Sequence, residues 1–336
     1  MQVAVLAHES FPDRAKTAVG LLRYGDHEVR AVLDRAGAGT RVADHVPDVQ
    51  DAPIVASMAD VPEVDALVIG IAPIGGEFDE SWRPDVRAAL ERGCQVLSGL
   101  HYFLADDEEL ASLATEHDGG LVDVRRPPED LSVADGTAAE VDATVVTTVG
   151  TDCSTGKMTT AYELRDAARE RGLDAAVVPT GQTGVVIEGW GIVVDRVVAD
   201  YAAGAVERLV ETPVGLDLIV VEGQGALAHP AYSGVTTSVL HGSAPDALVM
   251  CHEAGREAVH GYESFELPPS ADYADLYERM AAPVSGASVA AGALNTRGLD
   301  DDAATDAVAA YGDAIGAPAT DPVRDGVPDD VLDAVL

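Results

Sequence analysis

Gly150-Thr-Asp-Cys-Ser-Thr-Gly-Lys-Met-Thr-Thr160 is the stretch that decides how this chain is read. The seven residues before it, 143–149, run Ala-Thr-Val-Val-Thr-Thr-Val, a β-branched segment of the kind that forms a buried parallel strand. Residues 158–171 after it read as a helix, with Gly172 placed as its C-cap. Strand, glycine-bounded loop, lysine and helix in that order make the phosphate-binding P-loop arrangement. Such a loop turns successive backbone N–H groups inward, and the helix N-terminus adds partial positive charge. The candidate cofactor-binding residues are therefore Gly150, Thr151, Asp152, Cys153, Ser154, Thr155, Gly156, Lys157, Met158 and Thr159.

Two features depart from the strict pattern. Five residues separate Gly150 from Gly156, one more than usual. Met158 follows the lysine, where a Ser or Thr ordinarily holds Mg²⁺. Thr159 and Thr160 come next and are the available substitutes. Phosphate binding follows from the motif; metal-dependent hydrolysis does not, and no metal-ligand set is expected.

The chain has 336 residues, enough for two α/β domains. Its 58 acidic residues against 21 basic ones give a formal net charge of −37. Binding of nucleic acid or of an anionic membrane through a basic patch is thereby excluded. Only two lysines occur, Lys16 and Lys157, and hydrophobic residues make up 47%, mostly Ala and Val. This composition suits the cytoplasm of a high-salt cell, where screening over roughly 3 Å at molar salt removes most self-repulsion. A lysine kept at the P-loop position in so lysine-poor a chain points to function there. Cys94, Cys153 and Cys251 lie far apart without metal-ligand spacing, as in a reducing cytoplasm. The N-terminus reads as a strand, not a signal peptide, and no apolar run approaches the roughly 20 residues of a membrane span.

Residues 1–135 alternate strand and helix as an open, Rossmann-like parallel-sheet domain. Strands are expected at 3–7, 28–34, 65–71, 95–97 and 121–124, and helices at 16–24, 84–92 and 106–117. No Gly-x-Gly-x-x-Gly follows the first strand, so a dinucleotide there is unsupported. The loops at 72–76 and 98–101 read as tight turns or as contributors to a site between the domains. Residues 136–142 are a linker, and 143–336 form a P-loop NTPase-like α/β domain.

Within that second domain, the strand at 175–178 leads into Pro179-Thr-Gly-Gln-Thr-Gly184, read as a glycine-rich loop in which Gln182 offers an uncharged contact. The apolar strand at 216–221 ends in Glu222-Gly-Gln-Gly225. A carboxylate there occupies the Walker-B position, where it orients a metal, a water or a proton-bearing nucleophile. His229 follows as a candidate general base or as a solvated loop residue. Strands at 246–251 and 287–295 precede Arg256 and Arg297, a helix is expected at 300–311, and 318–326 reads as a terminal loop near where related folds hold an adenine base.

Taken alone, the P-loop half resembles the dethiobiotin synthetase and MinD branch of P-loop proteins. The combination of Ser98-Gly-Leu-His, the 150–160 stretch, Pro179-Thr-Gly-Gln-Thr-Gly, Glu222-Gly-Gln-Gly, His252-Glu-Ala-Gly-Arg and Ala293-Leu-Asn-Thr is more specific. Over essentially the whole chain it resembles a two-domain family that includes the D-glutamate N-acetyltransferases of marine bacteria and halophilic archaea. The resemblance implies an acetyl-CoA-dependent acyltransferase, with the P-loop on the CoA phosphates and a small acidic amino acid as acceptor. It implies Glu222 and His229 as base candidates, and Gln182, Gln224, Arg256 and Arg297 as substrate-binding candidates. A homo-oligomer is expected, without nucleic-acid or membrane partners. The rival expectation is an ATP-dependent ligase or kinase using ATP with Mg²⁺ on Glu222 and Thr159, and a third is a nucleotide-sensing module without turnover.

Overall fold

The computed structural model describes residues 1–71, 73 and 75–336. Ala72 and Ile74, in the loop read at 72–76, lie outside the described residues. The chain forms two compact units, Met1–Pro127 with Gln182–Arg196, and Pro128–Gly181 with Val197–Leu336.

The first unit is built on strands β1 Gln2–Leu6, β2 Glu28–Leu33, β3 Ile54–Val55, β4 Ala66–Ile69, β5 Gln95–Ser98 and β6 Gly120–Asp123, with helices α1 Lys16–Tyr24, α2 Arg83–Glu91 and α3 Glu108–Glu116. The sheet order is β3-β2-β1-β4-β5-β6 and every pairing is parallel. This is the doubly wound arrangement expected from strand–helix alternation. Its central strands are apolar along their whole length because helices cover both faces: residues 3–6 and 66–69 are all buried.

The second unit carries β7 Thr144–Gly150, α4 Lys157–Glu170, β8 Ala175–Val178, and then, after α5 Gln182–Glu188, α6 Ala199–Glu211, β9 Leu218–Val221, α7 Ser233–Ser243 and β10 Ala247–Glu253. A short antiparallel hairpin, β11 Ala258–Val259 with β12 Tyr262–Glu266, precedes α8 Ser270–Ala281, β13 Ser288–Asn295, α9 Asp301–Ile315, β14 Ala319–Thr320 and α10 Asp329–Val335. The main sheet runs β14-β13-β10-β7-β9-β8, all parallel, with β7 near its centre. Its two inward threonines are satisfied: Thr147 Oγ1 lies 2.9 Å from Ser243 Oγ, and Thr148 Oγ1 accepts from Gly223 N at 3.0 Å. Gly223 has to be glycine, since a Cβ there would stand 1.6 Å from the Thr148 carbonyl oxygen.

Three segments differ from the sequence expectation. Residues 182–184, read as the end of a glycine-rich loop within the P-loop domain, open helix α5, which packs with the first unit. Thr183 Oγ1 lies 2.8 Å from Thr17 Oγ1 of α1, and Asp195 pairs with Arg125. The expected linker at 136–142 is held to the second unit: the buried Glu207 carboxylate of α6 accepts the N–H groups of Asp135, Gly136 and Thr137 at 2.6–2.8 Å. The terminal loop at 318–326 begins with an edge strand, β14, paired to β13.

Candidate active site

The loop between β7 and α4 is shaped by its sequence. Gly156 caps α4 at φ 106°, a conformation that glycine adopts without cost. No side chain caps the helix, and nothing within 4 Å occupies the space where a Cβ of Gly156 would be. The first turn of a 14-residue helix thus has no side-chain cap, and it begins with a lysine. Those features suit an anion. Lys157 is buried, and its Nζ donates to the Asp152 carbonyl oxygen at 2.7 Å, closing the loop into a ring. Thr155 Oγ1 donates to the same oxygen at 3.2 Å. Tyr277 of α8, fully buried, donates from its hydroxyl to the Gly150 carbonyl at 2.7 Å and fixes where the loop begins. Burial raises the Tyr277 pKa well above that of an ordinary phenol, so the proton needed for this bond stays in place.

Met158 is buried in the core. Its thioether therefore stands inside the domain at the position of the metal-holding hydroxyl. Thr160 is buried as well, against Cys251 at 3.5 Å, while Thr159 lines the neighbouring cavity.

Asp152 is the most heavily bonded group of the loop and is 0% exposed. Its Oδ2 accepts from Arg256 Nη1 at 3.0 Å and from His260 N at 2.8 Å; its Oδ1 accepts from Cys153 N at 2.7 Å. Arg256 also donates to the Cys153 carbonyl at 2.6 Å and pairs with Glu253. This departs from the expected role of Arg256 as a substrate-carboxylate contact, because its guanidinium is bound to the loop itself. A buried carboxylate without such a partner would be costly, and the arginine is what makes Asp152 tolerable inside.

Glu222 ends β9 and is 2% exposed. Its Oε2 accepts from Gly181 N at 3.1 Å, and Thr180 Oγ1 donates to its carbonyl oxygen. Gln224 lies beside it, donating from Nε2 to Thr180 Oγ1 at 3.2 Å. A Cβ on Gly181 would come within 3.1 Å of Glu222 Oε1 and 2.6 Å of Gln224 Nε2, so the three residues converge. Gln182, expected with them, begins α5 and belongs to the first unit.

His229 is also 2% exposed, contrary to a solvated loop residue. Its Nδ1 accepts from Ala231 N at 3.1 Å. In the neutral ring the proton is therefore on Nε2, which stands 4.0 Å from Asp152 Oδ1. Tyr232 and Tyr262 flank the ring, with centroids at 4.6 and 5.2 Å. Burial lowers its pKa. In that neutral form Nε2 offers a hydrogen-bond donor, while Nδ1 is engaged by the Ala231 amide. His252 is arranged in a similar way, with Thr151 Oγ1 2.7 Å from Nδ1 and its ring stacked on Tyr311.

Asp152, Cys153 and His229 place one possible metal-ligand atom each within 4.8 Å of one another. Asp152 and Cys153 are neighbours in the P-loop, and it is His229, from the loop after β9, that the fold brings to them. A cation there would have to displace the Nε2 proton and compete with Arg256 for Asp152.

Beside the N-terminal turn of α4 lies a cavity of about 400 Å³. Thr155, Gly156, Thr159 and Thr160 form one wall, and residues 295–297 and 321–324 form the other. Asp321 holds that second wall together, accepting from Thr296 N at 2.9 Å and Val323 N at 3.0 Å. Arg297, exposed, is part of this cavity's lining.

Residues 35–127 match the family described as "Domain of unknown function (DUF1611_N) Rossmann-like domain", and residues 132–332 match its "(DUF1611_C) P-loop domain". Over 265 residues the chain is 37% identical to a protein of Pseudoalteromonas sp named D-glutamate N-acetyltransferase, covering 78% of each chain. A protein of the same name from Tritonibacter scottomollicae is 36% identical over 261 residues, covering 77% of this chain and 78% of that one. A solved DUF1611 family protein from Anabaena variabilis is 38% identical and superposes with a TM-score of 0.94, over 99% of this chain and 98% of the other. Among the described residues, no helix is long and apolar enough to cross a membrane.

Proposed function

The chain belongs to the DUF1611 family, and from that premise we propose that it is an N-acetyltransferase moving the acetyl group of acetyl-CoA to the amino group of an acidic amino acid, D-glutamate first. What carries the reading is Met158, buried at the position where a P-loop kinase holds Mg²⁺. A loop so built can grip phosphates without a metal, and CoA presents a diphosphate that needs no cleavage. The names of the two relatives support the same chemistry.

In this reading the uncapped N-terminus of α4 and Lys157 hold the CoA diphosphate, and the cavity beside them receives the nucleoside. The acceptor arrives as an ammonium and must lose a proton before its nitrogen attacks the thioester carbon. Glu222 is the base, its carboxylate kept in place by Gly181 N–H. As the carbonyl carbon becomes tetrahedral, its oxygen gains negative charge and needs a positioned donor. His229 Nε2–H is that donor. Collapse forms the amide and expels the CoA sulfur, which takes up the second proton of the attacking nitrogen and leaves as the free thiol, while the proton held by Glu222 passes to solvent.

The test follows free thiol release from acetyl-CoA with D-glutamate, L-glutamate and no amine, each with and without EDTA. Release that depends on an acidic amine and is unaffected by EDTA supports the proposal. Release abolished by EDTA, or ADP formed from ATP with a carboxylate substrate, would transfer the case to a metal-dependent ligase. Absence of turnover with either cosubstrate would leave a nucleotide sensor.

A further inference from the structure

Aromatic side chains are scarce in this chain, with four Phe, nine Tyr and two Trp in 336 residues. Among the described residues five of them are exposed, and three of the five, Tyr232, Tyr262 and Phe265, gather at one place in the second unit. Tyr232 and Tyr262 flank the buried His229 ring, and Phe265 stands edge-on to Tyr262 with 6.4 Å between centroids. Rings left 40–49% exposed in a surface otherwise rich in acids form the kind of patch that receives a ligand or a partner.

The patch adjoins the P-loop. The β11–β12 hairpin, which carries Tyr262 and Phe265, is fixed to the first half of the loop: His260 N donates to Asp152 Oδ2 at 2.8 Å, and Arg256 Nη1 to the Cys153 carbonyl at 2.6 Å. The cavity beside α4 starts from the second half, at Thr155, Gly156 and Thr159, and its opposite wall is the end of β13. In the sheet, β13 lies on one side of β7 and β9 on the other. The chain leaving β9 carries Glu222 and His229. The loop after β7 is thus flanked by the cavity towards β13 and by His229 with its aromatic rings towards β9.

We propose that Tyr232, Tyr262 and Phe265 bind the pantetheine arm of an acyl-CoA and lay its thioester beside His229. The proposal rests on the acetyl-CoA reading above. With the nucleoside in the cavity and the diphosphate on the loop, the outer phosphate's substituent runs past Asp152 towards the rings. In CoA that substituent is an uncharged chain of methylenes and amides; in ATP it is a third phosphate. The surroundings suit the former. Glu263 and Glu266 stand on β12 among the rings, and the Arg256 guanidinium is committed to Asp152, Glu253 and the Cys153 carbonyl. Aromatic faces offer methylenes apolar contact and accept amide N–H groups.

The test is calorimetric titration of ADP, dephospho-CoA and CoA into the wild type, Tyr262→Ala, Phe265→Ala and Tyr262→Phe, at one fixed KCl concentration. Dephospho-CoA is ADP with the arm attached to its outer phosphate, so the pair isolates the arm. Each alanine variant should lose roughly three- to ten-fold in affinity for dephospho-CoA and for CoA. ADP binding should stay unchanged, which also certifies that the variant is folded. Tyr262→Phe keeps the ring and should bind all three as the wild type does. Alanine variants that hold dephospho-CoA as tightly as the wild type overturn the proposal while leaving the acetyl-CoA reading standing. So does an equal loss of ADP and dephospho-CoA. Unchanged affinities with a smaller mass by light scattering overturn it too, and assign the patch to contact between copies of the chain. A wild type that binds neither form of CoA but binds ATP with Mg²⁺ removes both the proposal and the reading.

Discussion

The backbone N–H of Ala231 donates to Nδ1 of His229 at 3.1 Å, and a backbone amide cannot reverse its role. The neutral ring therefore carries its proton on Nε2. If this proton is a donor to the developing oxyanion, His229→Gln, which keeps an N–H, should retain more turnover than His229→Ala. Were His229 the base, both variants would be equally impaired. Nitrogen-15 spectra of the imidazole should show the Nε2–H tautomer at pH 7.5.

The same bond sets a pH dependence. Burial holds the His229 pKa below 6.5, the ordinary histidine value. As pH falls through 6.5 the unfolded chain takes up a proton that the folded ring refuses. Stability linked to this group is thus indifferent to pH above about 7 and declines as pH drops below 6.5, until the folded ring titrates. Thermal unfolding between pH 7.5 and 5.5 should show the wild type losing more stability than His229→Gln. Parallel losses would contradict it.

Lys157→Ala should weaken CoA, dephospho-CoA and ATP alike, by roughly ten- to a hundred-fold, since the contact it removes is to the phosphates that all three share. The loop retains Tyr277 and Arg256 as anchors, so the fold should survive. Unchanged dissociation constants, measured by calorimetry on a variant with native circular dichroism, would take the P-loop out of the mechanism.

The nucleus of the P-loop unit was legible because its signals are local. A β-branched run, a glycine-bounded loop and a lysine specify β7, the turn and α4 without reference to the remaining fold. Segments set by distant packing were not legible. Helix α5 holds Gly184 and follows Pro179 and Gly181, so its composition reads as a turn; its packing on α1 makes it a helix. Helix α7 opens Ser-Gly-Val-Thr-Thr-Ser, equally loop-like, and is settled by burial of Thr236, Val239 and Leu240. The β11–β12 hairpin has no apolar alternation to reveal it, since β12 is exposed at every position. Helix α8 did carry a signal: Tyr273, Tyr277 and Ala281 recur at four-residue spacing and are all fully buried. In the site, residue types announced Glu222 and Lys157. The partners of Arg256 and His229 were not legible: Asp152 lies 104 residues from Arg256 and is brought to it by the fold, and the Ala231 amide is a backbone group that no residue type announces.

Stability should depend on salt. With a net charge of −37, dilution below about 0.1 M lengthens screening to roughly 10 Å or more, and repulsion between acidic surfaces rises. We expect loss of helicity and a falling melting temperature on dialysis from molar KCl, recovered when salt is restored. An unshifted melting temperature in low salt would contradict adaptation to a high-salt cytoplasm.

Glu222 carries the sharpest chemical prediction. It is 2% exposed at the end of β9, one oxygen fixed by Gly181 N–H at 3.1 Å and the other close to the Gly181 backbone. Glu222→Gln keeps size and hydrogen-bonding capacity but removes basicity. If Glu222 takes the ammonium proton, turnover should fall about 10²–10⁴-fold, while the dissociation constant for CoA changes little, because the proposed diphosphate contacts lie on α4 and Lys157. The loss should shrink as pH rises, since more of the amine then arrives already deprotonated and needs no base. A smaller amine pKa should help for the same reason, so an acceptor analogue of lower basicity should narrow the gap between variant and wild type. A deficit that stays constant across pH and acceptor basicity would assign Glu222 to positioning, through Gly181 and Gln224, and would leave the proton to another group. The measurement is single-turnover thiol release over pH 6.5 to 9.5, with CoA affinity determined on the same samples.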